Sequence, residues 1–338
     1  MSASTVYQLS NNNGLLIEFI SYGAKLTAVK IPEGDKSIDI LLGYDTPEQA
    51  INGDVYMGAI CGRYANRISG GGFNLEGEFI KLNQNDGANH LHGGHKGFNV
   101  KDWKVEKTEL QGYSSAYKLS VLSNDGDENY PGNLNATIIY ALNDANEFLI
   151  DITATTDKTT VVNLTSHPYF NLKGAGNGDV LNHILEISAK QFTPLSTDMV
   201  PSGEMRSVKN TAMDFTKPVV IKDRIDSDYE QIQLVGGLDH NWIVNKQQGE
   251  LALAAKVTEP KSGRSVEVYT TQPGIQVYTA MHFNGSDIGK GQVPFKKYCG
   301  IALEAQNFPD APNHSNFPSS ILKPQEKYQE KIQYKFTY

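Results

Sequence analysis

The chain has 338 residues, a formal net charge of −8 at pH 7 and 39% hydrophobic residues. The acidic balance, the scarcity of arginine and the lack of any Lys/Arg cluster disfavour nucleic acid, which needs a basic stripe, and an anionic membrane surface. Two cysteines, Cys61 and Cys299, with no C-x-x-C spacing give no disulfide framework and fit a reducing compartment.

Length alone would allow two or three domains, but a large β-sandwich of this size also occurs as one domain, with a core that needs no disulfides. Met1-Ser2-Ala3-Ser4-Thr5 carries neither the basic nor the apolar region of a signal peptide. No apolar run approaches the ~18 residues needed to span a bilayer. The expectation is a soluble cytoplasmic protein.

Strand signals dominate from the start. Ala24-Lys25-Leu26-Thr27-Ala28-Val29-Lys30-Ile31, after Gly23, alternates apolar and polar positions. Thr46-Pro47-Glu48 predicts a short helix over about Pro47 to Ile51, with Thr46 as N-cap and Pro at the first helical position. Gly70-Gly71-Gly72 reads as a flexible turn. Thr137-Ile138-Ile139-Tyr140-Ala141-Leu142 is β-branched and aromatic. Phe148, Ile150, Ile152 and Ala154 share one greasy face. Val266, Val268 and Thr270 alternate with Glu267 and Tyr269, and Ile275 and Val277 oppose Gln276 and Tyr278. In Ile301-Ala302-Leu303-Glu304-Ala305-Gln306, Ile301 and Leu303 point one way and Glu304 and Gln306 the other, before a break at Phe308-Pro309-Asp310. No strand–helix–strand alternation and no internal repeat occurs. The prediction is an all-β chain, a large antiparallel β-sandwich, with residues 1–338 forming a single domain.

No dinucleotide fingerprint, P-loop, H-E-x-x-H motif or G-x-S-x-G elbow is present. Glu304, at the end of a buried strand, can act as a general base. His167 falls on the face of Asn163 and Thr165, where it reads either as a functional imidazole or as a satisfied structural histidine. His92 lies in a tight Leu-His-Gly-Gly turn, where glycines admit close approach of backbone or ligand. His90 and His95 beside it are expected to be solvated. The histidines have no cysteine or carboxylate partner at ligand spacing, so no metal is expected. Arg67, after Asn66, reads by itself as a surface or salt-bridge residue, and Asp239 as a structural turn carboxylate. Tyr269, Tyr278 and Trp242 could stack on a sugar or belong to the core. Together these groups describe a pocket suited to a neutral polyhydroxylated ligand.

At these residues the sequence resembles the aldose 1-epimerase (galactose mutarotase) family. The segments that carry the resemblance are Gly62-Arg63-Tyr64-Ala65-Asn66-Arg67-Ile68, Asn89-His90-Leu91-His92-Gly93-Gly94, Tyr130-Pro131-Gly132-Asn133-Leu134 and Asn163-Leu164-Thr165-Ser166-His167-Pro168-Tyr169-Phe170-Asn171-Leu172. Further along come Leu238-Asp239-His240-Asn241, Gln272-Pro273-Gly274-Ile275-Gln276-Val277-Tyr278-Thr279 and Leu303-Glu304-Ala305-Gln306-Asn307-Phe308-Pro309-Asp310. They stand in family order over nearly the whole chain.

The resemblance implies a β-sandwich of the galactose mutarotase type and interconversion of the α and β anomers of a free aldohexose, with D-galactose and D-glucose as substrates and without cofactor or metal. It implies Glu304 as base at O1, His167 as acid at the ring oxygen O5, and His92 as a second donor there. Asn66, Arg67, Tyr169, Asp239 and Gln276 would join His92 and His167 in binding the sugar, in a monomer or homodimer. The pair is expected to hold an imidazolium beside a carboxylate. Ala305 and the Ala280-Met281-His282 run depart from the family pattern. A glycoside hydrolase built on Asp239 and Glu304 is the main rival, but the two carboxylates share no motif and a histidine acid suits release of a ring oxygen. A non-catalytic sugar binder would need no proton-transfer pair, and a hexose-phosphate enzyme would need a basic cluster.

Overall fold

The computed structural model describes residues 5–54 and 56–338. The reading of residues 1–4 as carrying no export signal lies outside them. The chain folds into antiparallel sheets. The largest has nine strands in the order Lys104–Thr108, Ser115–Ser123, Leu134–Leu142, Glu147–Thr156, Tyr328–Thr337, Ser265–Thr270, Ala252–Thr258, Ile184–Ile187 and Val219–Val220. A six-stranded sheet runs Tyr169–Phe170, Ile301–Gln306, Gly274–Tyr278, Asp239–Val244, Ala189–Thr193 and Arg206–Ser207. A four-stranded sheet from Val6–Ser10 to Lys36–Asp39 flanks them.

The period-2 pattern explains how the two larger sheets pack. Trp242, Ile275, Val277, Ile301 and Leu303 on one face of the six-stranded sheet join Ile138, Ile150, Val266 and Ile332 of the nine-stranded sheet in one apolar core. The other face of the six-stranded sheet carries Asp239, Asn241, Gln276, Glu304 and Gln306. A sandwich with one greasy and one polar inner strand face leaves that polar face for chemistry. The antiparallel sandwich is as expected.

Local readings hold with small shifts. The early strand spans Leu26–Glu33, and the helix spans Pro47–Asn52 with a reciprocal cap: Gln49 N–H donates to Thr46 Oγ1 at 3.3 Å and Thr46 N–H to Gln49 Oε1 at 3.0 Å. Gly70 and Gly71 form a tight 3-10 turn, and Gly72 already begins the strand Gly72–Leu75. Two further helices, Ile221–Ile225 and Glu230–Val235, were not expected, since a turn and a half is too short to show a helical period. Trp242 belongs to the core, with its ring N–H on Met213 O at 3.0 Å, and Tyr269 bonds Glu267 on the nine-stranded sheet.

Candidate active site

Strand register puts Glu304, Gln276 and Asn241 in a row, and Asp239 stands on the same face two residues from Asn241. Gln276 lies directly opposite Glu304, and Asn241, two residues beyond Asp239, lies opposite Gln276. Gln276 Nε2 donates to Asp239 Oδ1 at 2.7 Å. His167 follows the short strand Thr165–Ser166, and its backbone is tied to Ala59 and Gly58. The Tyr169–Phe170 strand then pairs with Ile301–Gln306. His167 Nε2 thereby reaches Glu304 Oε1 at 3.3 Å, both side chains fully enclosed.

Asn66, Arg67 and His92 arrive on a second layer. The two-residue strands Arg67–Ile68 and His90–Leu91 pair. Asn66 and His92 both adopt left-handed backbone, with φ of 64° and 51°, a conformation that costs little for asparagine and is uncommon elsewhere. Gly93 follows with φ +88°, and a Cβ there would lie 1.8 Å from Gly62 O. Only glycine lets the His92 turn press so closely on the Gly62–Arg67 segment. Asn163 clamps this segment to the C-terminal strand, donating to Ala65 O and Asn307 O and accepting from Asn307 N–H.

His92 Nδ1 accepts the Asn66 N–H at 3.2 Å, so its Nε2 carries the proton and is a donor. Its ring packs 5.4 Å from that of His167 and 4.7 Å from Tyr56. Tyr169 stacks on His167, with ring centroids 4.8 Å apart, so its contact is with the imidazole. Arg67 Nε donates to Asp86 Oδ2 at 2.7 Å, and its Nη1 lies 3.9 Å from Asp239 Oδ2.

Burial governs the protonation states. It drives His92 far below the ordinary histidine value and His167 down to about 4. It raises Glu304 well above the ordinary range, helped by the negative Asp239 and opposed by Arg67. Desolvation therefore works against the expected imidazolium–carboxylate arrangement, because it penalises both charges. Burial also works against the Arg67 charge, but Asp239 and Asp86 outweigh it and raise its proton affinity.

Ligand atoms of His92, His167 and Glu304 lie within 4.8 Å of one another, close enough to consider a metal. The hydrogen bond from Asn66 argues against one. A metal on His92 Nε2 would force the proton to Nδ1, where it would face another N–H donor. Two neighbouring expectations also resolve. His95 is exposed as expected. His90 is not solvated: it is fully buried between Asn83 O (2.6 Å) and the Tyr130 hydroxyl (2.8 Å), which satisfy both ring nitrogens. Sequence reasoning missed Tyr56 and Asp86. The Asn85-Asp86-Gly87 turn hid the latter, because a turn explains an aspartate without any partner.

An enclosed imidazole–carboxyl pair facing an arginine–aspartate pair defines an acid–base site for an uncharged polar substrate. The sequence profile of the aldose 1-epimerase family matches residues 5–335. The chain is 38% identical to the galactose mutarotase of Bos taurus over 340 aligned positions, covering 100% of this chain and 96% of that protein. It is 36% identical to the aldose 1-epimerase of Escherichia coli strain K12, covering 97% and 94%. Among solved structures, the galactose 1-epimerase from Lactobacillus acidophilus superposes with a TM-score of 0.85 at 30% identity, covering 98% of this chain and 93% of that one. An aldose epimerase homologue from C. elegans reaches 0.88 at 28% identity, covering 99% of each. The chain belongs to the aldose 1-epimerase family. It is an isomerase that interconverts the anomers of an aldose.

Proposed function

We propose that the substrate is a free aldohexose, D-galactose or D-glucose, and that Glu304 and His167 move its protons. The observation that carries this reading is the 3.3 Å contact of His167 Nε2 with Glu304 Oε1 at the enclosed end of a pocket whose other end holds Arg67 and Asp239. Glu304 removes the proton from the C1 hydroxyl. The C1–O1 bond becomes a carbonyl as the C1–O5 bond breaks, and His167 delivers a proton to O5. Rotation about C1–C2 presents the other carbonyl face, and the two transfers reverse.

Burial disfavours both charges of the pair, and substrate contacts oppose it. A sugar whose O1–H donates to Glu304 stabilises the carboxylate, and an O5 that accepts from His167 stabilises the imidazolium. Substrate contacts therefore draw the proton from Glu304 to His167 over the short gap between them. The neutral pair that burial favours is also the state reached once the ring is open, so neither side of the relay is a deep well. His92, a neutral Nε2–H donor, supports O5. Asn66, Arg67, Asp239 and Gln276 hold the ring hydroxyls, and Tyr169 fixes the plane of His167. Binding, orientation and proton transfer all come from this chain's own side chains, with no step assigned to a cofactor.

The reading takes the chain as one catalytic domain, in keeping with the core shared by its two large sheets. It takes the protein as cytoplasmic, and as a monomer or homodimer. The two cysteines are free and buried, which fits a reducing compartment. Among the described residues no helix is long and apolar enough to cross a membrane. Polarimetry on freshly dissolved α-D-galactose and α-D-glucose tests the function directly. Acceleration above the spontaneous rate to the same equilibrium rotation is expected with at least one of them. A folded protein that accelerates neither would overturn the substrate assignment.

A further inference from the structure

Around the proposed base lies a set of unpaired polar atoms, among them those of Gln306 and Asn241, which neither the proton relay nor sugar binding uses. Glu304 Oε2, Gln276 Oε1, Asn241 Oδ1 and both amide atoms of Gln306 are buried without a hydrogen-bond partner. Gln306 is 0% exposed and Asn241 1%. Buried polar groups are ordinarily paired, and each one left unpaired costs stability. These are not scattered. Glu304 and Gln306 are two apart on one strand, hence on the same face. Gln276 lies opposite Glu304, Asn241 opposite Gln276, and Gly274 opposite Gln306. Asn241, Gln276 and Glu304 thus form a row across three strands, and Gln306 flanks that row beside Glu304, with Gly274 next to it. A Cβ on Gly274 would sit 2.2 Å from Asn241 Oδ1, so the missing side chain is the space that brings the Asn241 amide towards Gln306.

Donor accounting singles out one residue. Asn241 Nδ2 is directed at Thr193 Oγ1 (3.4 Å), and Gln276 Nε2 is spent on Asp239. Each of those two amides keeps one further N–H, but Gln306 Nε2 is the amide nitrogen of the group that bonds nothing, against the unpaired oxygens of Asn241, Gln276 and Glu304. An amide can also accept. A carboxyl that cycles between ionised and protonated needs a neighbour that donates to the first state and accepts from the second.

We propose that Gln306 is the positioning residue of the base, its amide donating to Glu304 Oε2 in the ionised state and accepting from it in the protonated state. The Asn241 oxygen, admitted over Gly274, anchors the second Gln306 N–H. This inference rests on the acid–base reading of Glu304. Other charged groups act on that carboxyl from the pocket side: Asp239, Arg67 and His167. Neutral Cys61, Tyr169, Tyr278 and Tyr334 lie within reach of its charge. Gln306 differs from all of these in standing two residues along the same strand face with both of its amide atoms unpaired.

The test is the pH profile of kcat/KM, corrected for spontaneous mutarotation, for the wild type, Gln306→Met and Glu304→Gln. Methionine keeps the length and removes the hydrogen bonds. Bonds to a charged acceptor are about twice as strong as neutral ones, so the ionised carboxylate loses more. The limb set by loss of the Glu304 proton should move up by about one pH unit, with kcat reduced about tenfold and KM little changed. A folded Gln306→Met enzyme whose limb stays in place would overturn the proposal, whatever its kcat. If Gln306→Met does not fold, Gln306→Glu serves instead: a second carboxyl beside Glu304 should move the limb further up, and an unmoved limb again overturns it. Full activity in Glu304→Gln would instead refute the acid–base reading itself, so the two failures are told apart.

Discussion

The two ends of the pocket solve opposite electrostatic problems. At the Arg67 end each charge has a counter-charge already in place, and Asp86 is 36% exposed, so the charges stay partly hydrated. At the Glu304 end the side chains of Glu304 and His167 are 2% and 5% exposed, and burial works against the charge of each. A fully paired end can bind without changing state. A desolvated end with unspent hydrogen-bonding capacity is poised to change state when a substrate supplies the missing partners. On the proposed roles, binding and proton transfer are thus separated by burial.

That division should break most visibly at the enclosed end. Glu304→Gln should lower kcat by about 10²–10⁴-fold with KM nearly unchanged, read by polarimetry. Near wild-type turnover would mean that the enclosed end is not where the chemistry happens. At the opposite end, Arg67→Met leaves Asp239 and Asp86 unpaired. KM should rise about 10–100-fold while kcat falls less. A loss confined to kcat would erase the distinction between the ends.

The pH dependence sharpens the comparison further. The relay works while the pair holds one proton, so activity should be bell-shaped. As pH falls through about 4, His167 takes up a proton beside protonated Glu304, and kcat/KM should drop. As pH rises past the raised Glu304 value, the last proton is lost and the rate falls again. A lower limb near the ordinary histidine value would show that His167 is less desolvated than its burial implies. Mildest of all should be Asp86→Asn. A half-exposed ion pair is worth up to about 1 kcal/mol, so KM should rise by less than about fivefold, with a smaller difference from wild type at high salt. A change in kcat instead would tie Asp86 to the proton relay.

Much of this site was legible residue by residue. Glu304, His167, His92, Asn66, Arg67, Asp239 and Gln276 converge on one pocket, and strand parity already put Glu304 and Gln276 away from the core. Tyr169 is present but faces His167. The misses share a cause. His90 looks solvent-seeking by type, yet Asn83 O and the Tyr130 hydroxyl satisfy it in the interior. Arg63, four residues before Arg67 in the same motif, spends its guanidinium on Pro131, Gly132, Ser123 and Asn124 inside the fold. Two arginines of one segment therefore have opposite fates, and nothing local separates them.

By itself the sequence determined the period-2 alternation, hence antiparallel sheets with an apolar and a polar face, and the family order of its motifs, hence the reaction. These are local or one-dimensional properties, carried by side-chain type and spacing. Tertiary structure alone decided the bias of burial against both charges of the Glu304–His167 pair, the tautomer of His92 and the unpaired polar atoms around Glu304. Each depends on desolvation and on partners brought from distant segments, and neither quantity exists until the sheets have closed over the pocket.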